Sequence, residues 1–116
     1  MNESLSPPER IKKKKDFSAL YRRGRRYRGK YFSLIYASSP FGYSRVGVVA
    51  GKKVGKAVKR NKAKRWMREL VRRNKPVFKV PVDIIIVAKK EMLDVSWPEL
   101  REEFLAAIGA AGLRAP

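Results

Sequence analysis

The side chains with chemical reach in this chain are cations, and they are gathered together. The stretch from Lys52 to Lys75, KKVGKAVKRNKAKRWMRELVRRNK, holds a single acid, Glu69. Within it Lys56, Arg60, Lys64, Arg68 and Arg72 form a row at i+4 spacing. On a helix, like charges so placed cost roughly 0.2–0.5 kcal/mol per pair, so this row costs about 1–2 kcal/mol in the free protein. Arg65–Glu69 and Glu69–Arg73, at the same spacing, offset part of that. A merely solvated face intersperses both signs. A polyanion explains the run better, because guanidinium forks and ammonium groups neutralise phosphates and release their counterions.

Other chemistry is largely excluded by composition. The chain has no histidine and no cysteine, which removes the commonest general base, thiolate nucleophiles, the usual zinc ligands and disulfides. Carboxylates could still hold Mg²⁺, but a two-metal nuclease needs several converging on one point. Here Asp16, Glu69 and Asp83 are scattered, and Glu91, Asp94, Glu99, Glu102 and Glu103 cluster around the start of a C-terminal helix. Gly51-Lys52-Lys53-Val54-Gly55-Lys56 lacks the spacing of a phosphate-binding loop. Autonomous catalysis is therefore not expected. Phe17 and Tyr21 have two readings. They are either an apolar helix face packed on a sheet or platforms for unpaired bases, each worth about 1–3 kcal/mol. Spacing alone favours the first.

The elements that must position these residues follow from periodicity and punctuation. From Ala57 the basic stretch reads as a helix: Ala63, Trp66, Met67, Leu70 and Val71 make one apolar stripe, with Asn61, Arg65, Arg68 and Arg72 opposite. Arg60 and Lys64 sit on its flank; Gly55 precedes it, and Asn74 and Pro76 end it. Upstream, Asp16 is the expected N-cap of a short helix carrying Phe17, Leu20 and Tyr21 and stopping at Gly24. Ser6-Pro7-Pro8-Glu9 resembles a capping box, although residues 1–9 are otherwise expected to be poorly ordered. Tyr31–Ser38 and Ser44–Ala50 read as strands joined by turn chemistry, predicting an antiparallel hairpin, and Arg25–Arg28 could add a short edge strand. Asp83–Lys89 is the nearly continuous apolar run of a strand buried on both faces. Ser96-Trp97-Pro98-Glu99 is a capping box that opens the last helix.

At 116 residues and 44% apolar composition, the chain is expected to form one domain, 1–116, around a single core. The formal net charge of +19 points to nucleic acid before any other partner. No apolar run approaches the ~20 residues of a membrane span. The opening MNESLSPPER lacks the charged-then-apolar order of a secretory signal. A cytoplasmic protein with no membrane partner and no small-molecule substrate is the expectation.

The block from Arg45 to Glu69 resembles a known family, the protein component of bacterial ribonuclease P. That family's signature helix reads R-N-R-x-x-K-R-x-x-R-E, entered from K-K-x-G-x-A-V. Arg60, Asn61, Lys64, Arg65, Arg68 and Glu69 match it, preceded by Lys52, Lys53, Gly55, Ala57 and Val58. Lys62 stands where arginine is usual, which keeps the charge and loses the fork. The resemblance extends over residues 10–108, including Asp16-Phe17, Gly24, Phe32, the R-x-G strand at 45–47 and the Asp83–Ala88 strand.

The resemblance implies an α+β, ribosomal protein S5 domain 2-like fold in the order α-β-β-β-α-β-α. Its small mixed sheet would carry a left-handed β-α-β crossover around the basic helix, where the general rule predicts a right-handed one. It implies a subunit that binds a large catalytic RNA and helps it remove the 5′ leader of precursor tRNA. The RNA supplies the chemistry with Mg²⁺, and the protein binds no cofactor and contributes no catalytic residue. Arg60, Asn61, Lys62, Lys64, Arg65 and Arg68 would face the catalytic RNA, with Lys52, Lys56 and Arg72 of the same charge run. Phe17 and Tyr21 would line a cleft for the single-stranded leader, reversing the preference from spacing; phenylalanine is commoner at position 21. Ile35 and Val49 would share that face, Lys53 would meet leader phosphates at its edge, and Lys89, where arginine is frequent, is a further candidate. Two rival readings remain at this level: a general or ribosomal RNA-binding protein, and a protein-only nuclease.

Overall fold

The structure is a computed structural model that describes residues 9–115. Helix α1 (Lys14–Arg23) leads into strand β1 (Arg25–Arg28) and then β2 (Phe32–Ser38) and β3 (Arg45–Val49). A single helical turn at Lys52–Val54 precedes helix α2 (Ala57–Arg73), followed by β4 (Val82–Ala88) and helix α3 (Trp97–Ala110). The order α-β-β-β-α-β-α and the small mixed sheet are as expected. The expected capping box at Ser6–Glu9 lies outside the described residues except for Glu9, which pairs with Lys75 at 2.8 Å.

The sheet order is β1-β2-β4-β3, and this corrects the expected hairpin. Strand β2 pairs antiparallel with β4, and β3 pairs parallel with β4, so β2 and β3 are not neighbours. They do run in opposite directions, as a hairpin would require, but β4 lies between them. The physical reason is burial. Five of the seven β4 residues from Val82 to Ile86 are buried in succession, and only a central position covers both faces of such a strand. The β2–β3 connection arches over the start of β4: Ser39 N–H donates to Pro81 O at 3.1 Å, and Val82 N–H to Ser44 Oγ at 2.9 Å.

The two faces of the sheet are covered unequally. Phe32, Leu34, Val46, Ile84 and Ile86 pack against Ala63, Met67, Leu70 and Val71 of α2 and Leu100, Phe104 and Ile108 of α3. The α2 stripe is thus seated as its periodicity predicts, except that Trp66 is only half-buried. The opposite face carries a small cluster, Ile35 and Ile85 with Ile11 and Leu20, under α1 alone.

The helix ends show two departures. Asp16 does not cap α1: the helix starts at Lys14 with Lys13 as an extended N-cap that makes no side-chain cap bond. The Asp16 carboxylate instead lies 3.9 Å from Arg45. At α3, Ser96 Oγ accepts from Glu99 N–H at 3.3 Å, which is half of the capping box. The Glu99 carboxylate accepts from the Tyr31 hydroxyl at 2.6 Å rather than turning back, and it pushes the Tyr31 pKa up to about 12. Glu103 accepts from Tyr31 N–H at 2.9 Å and from Lys30 N–H. Glu99 and Glu103 therefore clamp the β1–β2 turn.

Candidate nucleic-acid interface

Two surfaces built by this framework can meet a polyanion. The first is the outward side of α2. At 1.5 Å per residue its 17 residues make a rod about 25 Å long. Gly55 supplies the entry turn at φ +137, a left-handed backbone that side-chain-bearing residues rarely adopt. Asn61, Lys62 and Arg65 are exposed; Arg60, Lys64, Arg68 and Arg72 are half-buried, with their stems lying along the helix flank. Lys52 and Lys56 are exposed at the approach to α2, where the helix dipole adds to their positive potential.

The half-buried arginines are held differently from one another. Burial lowers the Arg68 pKa, and the nearby Arg10 adds to the effect. The Arg60 Nε is buried and has no hydrogen-bond partner among the described residues. A guanidinium stripped of part of its water and given no acid is costly in the free protein. A phosphate oxygen would satisfy it. Arg72 is placed otherwise: it forks onto Glu69, with Nε 2.8 Å from Oε1. Arg73 Nε reaches the same carboxylate at 2.9 Å. These two contacts hold Glu69 below the ordinary carboxylate pKa, the Arg72 hydrogen bond being the larger influence. The acid expected to meet Arg65 is thus engaged by Arg72 and Arg73, and Arg65 is left outward.

The second surface is the cleft between α1 and the thinly covered sheet face. The alternation that buries even-numbered β3 and β4 residues under α2 turns Arg45, Gly47 and Val49 and also Asp83, Ile85 and Val87 toward α1. Ile35 and Ala37 join them from β2. Leu20 plugs the floor, whereas Phe17 and Tyr21 stay half-buried with ring surface open to solvent. Gly47 explains how α1 comes so close: a Cβ there would sit 2.7 Å from Phe17 Cζ and 3.3 Å from Ile11 Cβ.

Charge is distributed unevenly along the cleft. At one end Asp83, 1% exposed, accepts a fork from Arg45, with Nε at 2.9 Å and Nη2 at 2.6 Å. Arg23 approaches the same carboxylate at 3.7 Å, and the Arg45 guanidinium lies 4.7 Å from the Phe41 ring centroid. That end is neutralised. Toward the other end the β1–β2 register places Arg26 opposite Ile35 and Arg28 opposite Ser33, both on the α1 side. Arg26 donates to Tyr21 O at 3.3 Å and lies 5.7 Å from the Tyr21 ring centroid. Tyr21 also borders a shallow depression with Lys14, Lys15 and Arg22.

The structure therefore brings Phe17, Tyr21, Ile35 and Val49 together as expected. Lys89 is at the basic end, but its ammonium donates to Gly29 O and ties down the β1–β2 turn. Lys53 is placed apart: it lines a depression with Lys59, Lys62 and Lys90 where α2 begins. Sequence reasoning missed Arg26, Arg28, Ala37 and Val87 as cleft residues. Alternation carried the signal, but only the register fixes which alternate set faces α1.

Comparison with known proteins bears on the family and the fold. The family model described as Ribonuclease P matches residues 5–112. The chain belongs to the ribonuclease P protein family. The ribonuclease P protein component of Thermotoga maritima is 36% identical over 109 residues, covering 90% of this chain and 93% of that one. That of Desulfatibacillum aliphaticivorans is 44% identical over 87 residues, covering 75% and 74%. Among solved structures, the ribonuclease P protein of Staphylococcus aureus superposes with a TM-score of 0.82 at 28% identity, covering 92% of this chain and 98% of that one. The Thermotoga maritima protein gives 0.76 at 36% identity, covering 84% and 93%. The α+β fold of this ribonuclease P protein is thus the family's own, and its role is that of a ribonuclease P subunit in tRNA processing.

Proposed function

We propose that this ribonuclease P protein docks the catalytic RNA on α2 and holds the 5′ leader of precursor tRNA in the α1–sheet cleft. It thereby assists Mg²⁺-dependent endonucleolytic removal of the leader to give the mature tRNA 5′ end. The observation that carries the reading is the pair of partly desolvated guanidiniums of Arg60, on the flank of α2, and Arg68, neither of which has an acid partner among the described residues. On such a rod, Arg60, Asn61, Lys62, Lys64, Arg65 and Arg68 neutralise phosphates and fix register. Lys52 and Lys56 extend the same potential toward the helix start. Arg72 contributes by holding Glu69 away from the RNA-facing row.

In the cleft, Phe17 and Tyr21 offer ring surface to unpaired bases, Ile35 and Val49 form an apolar floor, and Arg26 and Arg28 meet the leader backbone. Lys89 shapes that wall by holding the β1–β2 turn. Lys53, set apart from the cleft beside Lys59, Lys62 and Lys90, meets phosphates at the start of the rod instead.

The acids among the described residues do not suit a metal centre. Asp83 and Glu69 are forked onto arginines, and among the described residues no three potential ligands converge. The Mg²⁺ of the holoenzyme is therefore assigned to the RNA, and the chain's own work is binding and orientation. Bound to its RNA and to tRNA, the protein acts in the cytoplasm. No helix among the described residues is long and apolar enough to cross a membrane.

The test mixes purified protein, ribonuclease P RNA and precursor tRNA at low Mg²⁺. Strong stimulation of RNA cleavage by the protein is expected, with little cleavage by protein alone. Cleavage in the absence of RNA, or RNA binding without stimulation, overturns the reading.

A further inference from the structure

The side of α2 that turns toward the start of α3 carries a feature that neither the phosphate row nor the leader cleft uses. Trp66 and Trp97, the only two tryptophans of the chain, meet edge to face with ring centroids 5.9 Å apart at an interplanar angle of 89°. Both are half-buried. Lys62 Nζ lies 5.1 Å from the Trp66 ring centroid, and Arg73 Cζ lies 5.5 Å from that of Trp97. Glu69 holds Arg73 in place through the 2.9 Å bond to its Nε. Together Arg65, Trp66, Glu69, Arg73 and Trp97 line an open cavity of about 420 Å³, within the roughly 300–1,000 Å³ range of small-ligand sites.

The wall chemistry selects the occupant. Core packing explains part of each indole, but it does not explain why the open parts are flanked by cations. A bare phosphate would need the cations and not the indoles. An apolar peptide would need the indoles and not the cations. A nucleotide needs both: a π-face to stack on, and positive charge for its phosphate. The carboxylate that could repel it is already bound by Arg72 and Arg73. The cavity also adjoins the outward side of α2, since the exposed Arg65 lines it and Lys62 is one turn away.

We infer that the Trp66–Trp97 cavity is a stacking site for one unpaired nucleotide of the RNA that α2 docks against. This rests on the reading of α2 as an RNA-facing rod. Replacing Trp97 removes a stacking surface but leaves Arg65 and Arg73 in place for the phosphate, so the salt dependence stays intact. Trp97→Leu keeps apolar bulk and removes the π-face, whereas Trp97→Phe keeps both.

The experiment uses the full chain and ribonuclease P RNA. Tryptophan fluorescence, excited beyond the tyrosine absorption band so that it reports on these two indoles, should be quenched as the RNA saturates the unmodified protein. Filter binding should show roughly 5- to 150-fold weaker affinity for Trp97→Leu, the fold-change of one lost stacked base. The slope of log affinity against log salt should not change, and Trp97→Phe should recover most of the loss. Thermal unfolding of each variant shows that it is folded. Should Trp97→Leu fail to fold, the fluorescence of the unmodified chain still decides. Saturation with unchanged fluorescence overturns the site, as does wild-type affinity in Trp97→Leu or a loss that comes with a flatter salt slope. Failure of the unmodified protein to bind the RNA at all sinks the reading of α2 itself, and the cavity proposal with it.

Discussion

Gly47→Ala tests whether the cleft depends on the close approach of α1 to β3. An added Cβ would stand 2.7 and 3.0 Å from Phe17 Cζ and Cε1 and 3.3 Å from Ile11 Cβ. Carbon atoms pack comfortably at roughly 3.5–4.0 Å, so the phenyl ring must move by about 1 Å. Ile11 restricts one direction, but the half-buried Phe17 can swing outward into the cleft. The backbone therefore need not yield, and the cost falls near the lower end of the roughly 1–3 kcal/mol of overpacking. For a chain of this size that corresponds to a Tm lower by roughly 3–6 °C. Function should suffer more specifically. The displaced ring no longer offers the stacking surface it had, so holoenzyme affinity for precursor tRNA should fall, by at most the roughly 1–3 kcal/mol of one stacked base. Affinity for mature tRNA, which has no leader, should hold. A Phe17→Ala background removes the clash, so there Gly47→Ala should cost little, giving a coupling energy of about 0.5 kcal/mol or more in a double-mutant cycle. Measurements of Tm and of anisotropy with labelled precursor and mature tRNA suffice. Additive effects of the two substitutions, or equal losses for both tRNAs, would refute the reasoning.

Other perturbations address the remaining contacts. Arg65→Ala combined with Arg68→Ala should weaken RNA binding and flatten its salt dependence by roughly 0.7–0.9 log unit per lost phosphate contact; a filter-binding slope equal to wild type would mean that these residues only solvate the helix. Asp83→Asn leaves Arg45 with Asp16 at 3.9 Å as its remaining acidic neighbour, and calorimetry should register a loss of about 2–3 kcal/mol. That is below the roughly 3–5 kcal/mol of a fully buried broken pair, because the Arg45 side chain keeps 14% of its exposure. Glu69 has its pKa lowered by Arg72 and Arg73, so its contribution to stability is complete above the unfolded-state pKa and is lost as pH falls through the folded one. The Tm gap between wild type and Glu69→Gln should then be constant above about pH 5 and close as the pH drops below about 4. A gap independent of pH would place the effect in packing instead.

Much of this was legible in residue order because the signals were local. The α2 stripe follows from the 3.6-residue period of Ala63, Met67, Leu70 and Val71, and Ser96 announces α3 through a bond to a residue three positions on. What escaped was non-local. Two strands joined by a short turn look like a hairpin until a third, apolar on both faces, claims the space between them. The apolar run within Asp83–Lys89 already implied a central strand, and a central strand must have two neighbours. Asp16 had the residue type and position of a cap, yet an arginine on β3 drew its carboxylate away. Arg25–Arg28 was legible as a short edge strand, but only its pairing with Ile35 and Ser33 shows which way Arg26 and Arg28 face. The signature residues of α2 were readable by type, but that Arg72 rather than Arg65 engages Glu69 depends on rotamers that spacing does not fix.

The unequal covering of the sheet lets a small fold carry the two surfaces proposed to face RNA without trading stability for access. Under α2 and α3 the core is deep, with Phe32, Leu34, Ile84, Met67, Leu70 and Phe104 all fully buried. That side carries most of the apolar burial and fixes α2 as a rigid rod. The α1 side buries Ile11, Leu20, Ile35 and Ile85, enough to seat a helix but not enough to close over Phe17 and Tyr21. Since β4 contributes alternate residues to both cores, the register that locks Ile84 and Ile86 under α2 also aims Ile85 and Val87 at the cleft. A slip of one residue would exchange the two sets, moving the apolar floor to the rod side and the deep core to the open side. The spacing between rod and cleft is thus set by a strand buried at the centre of the sheet, and loop variation at the surface cannot easily change it.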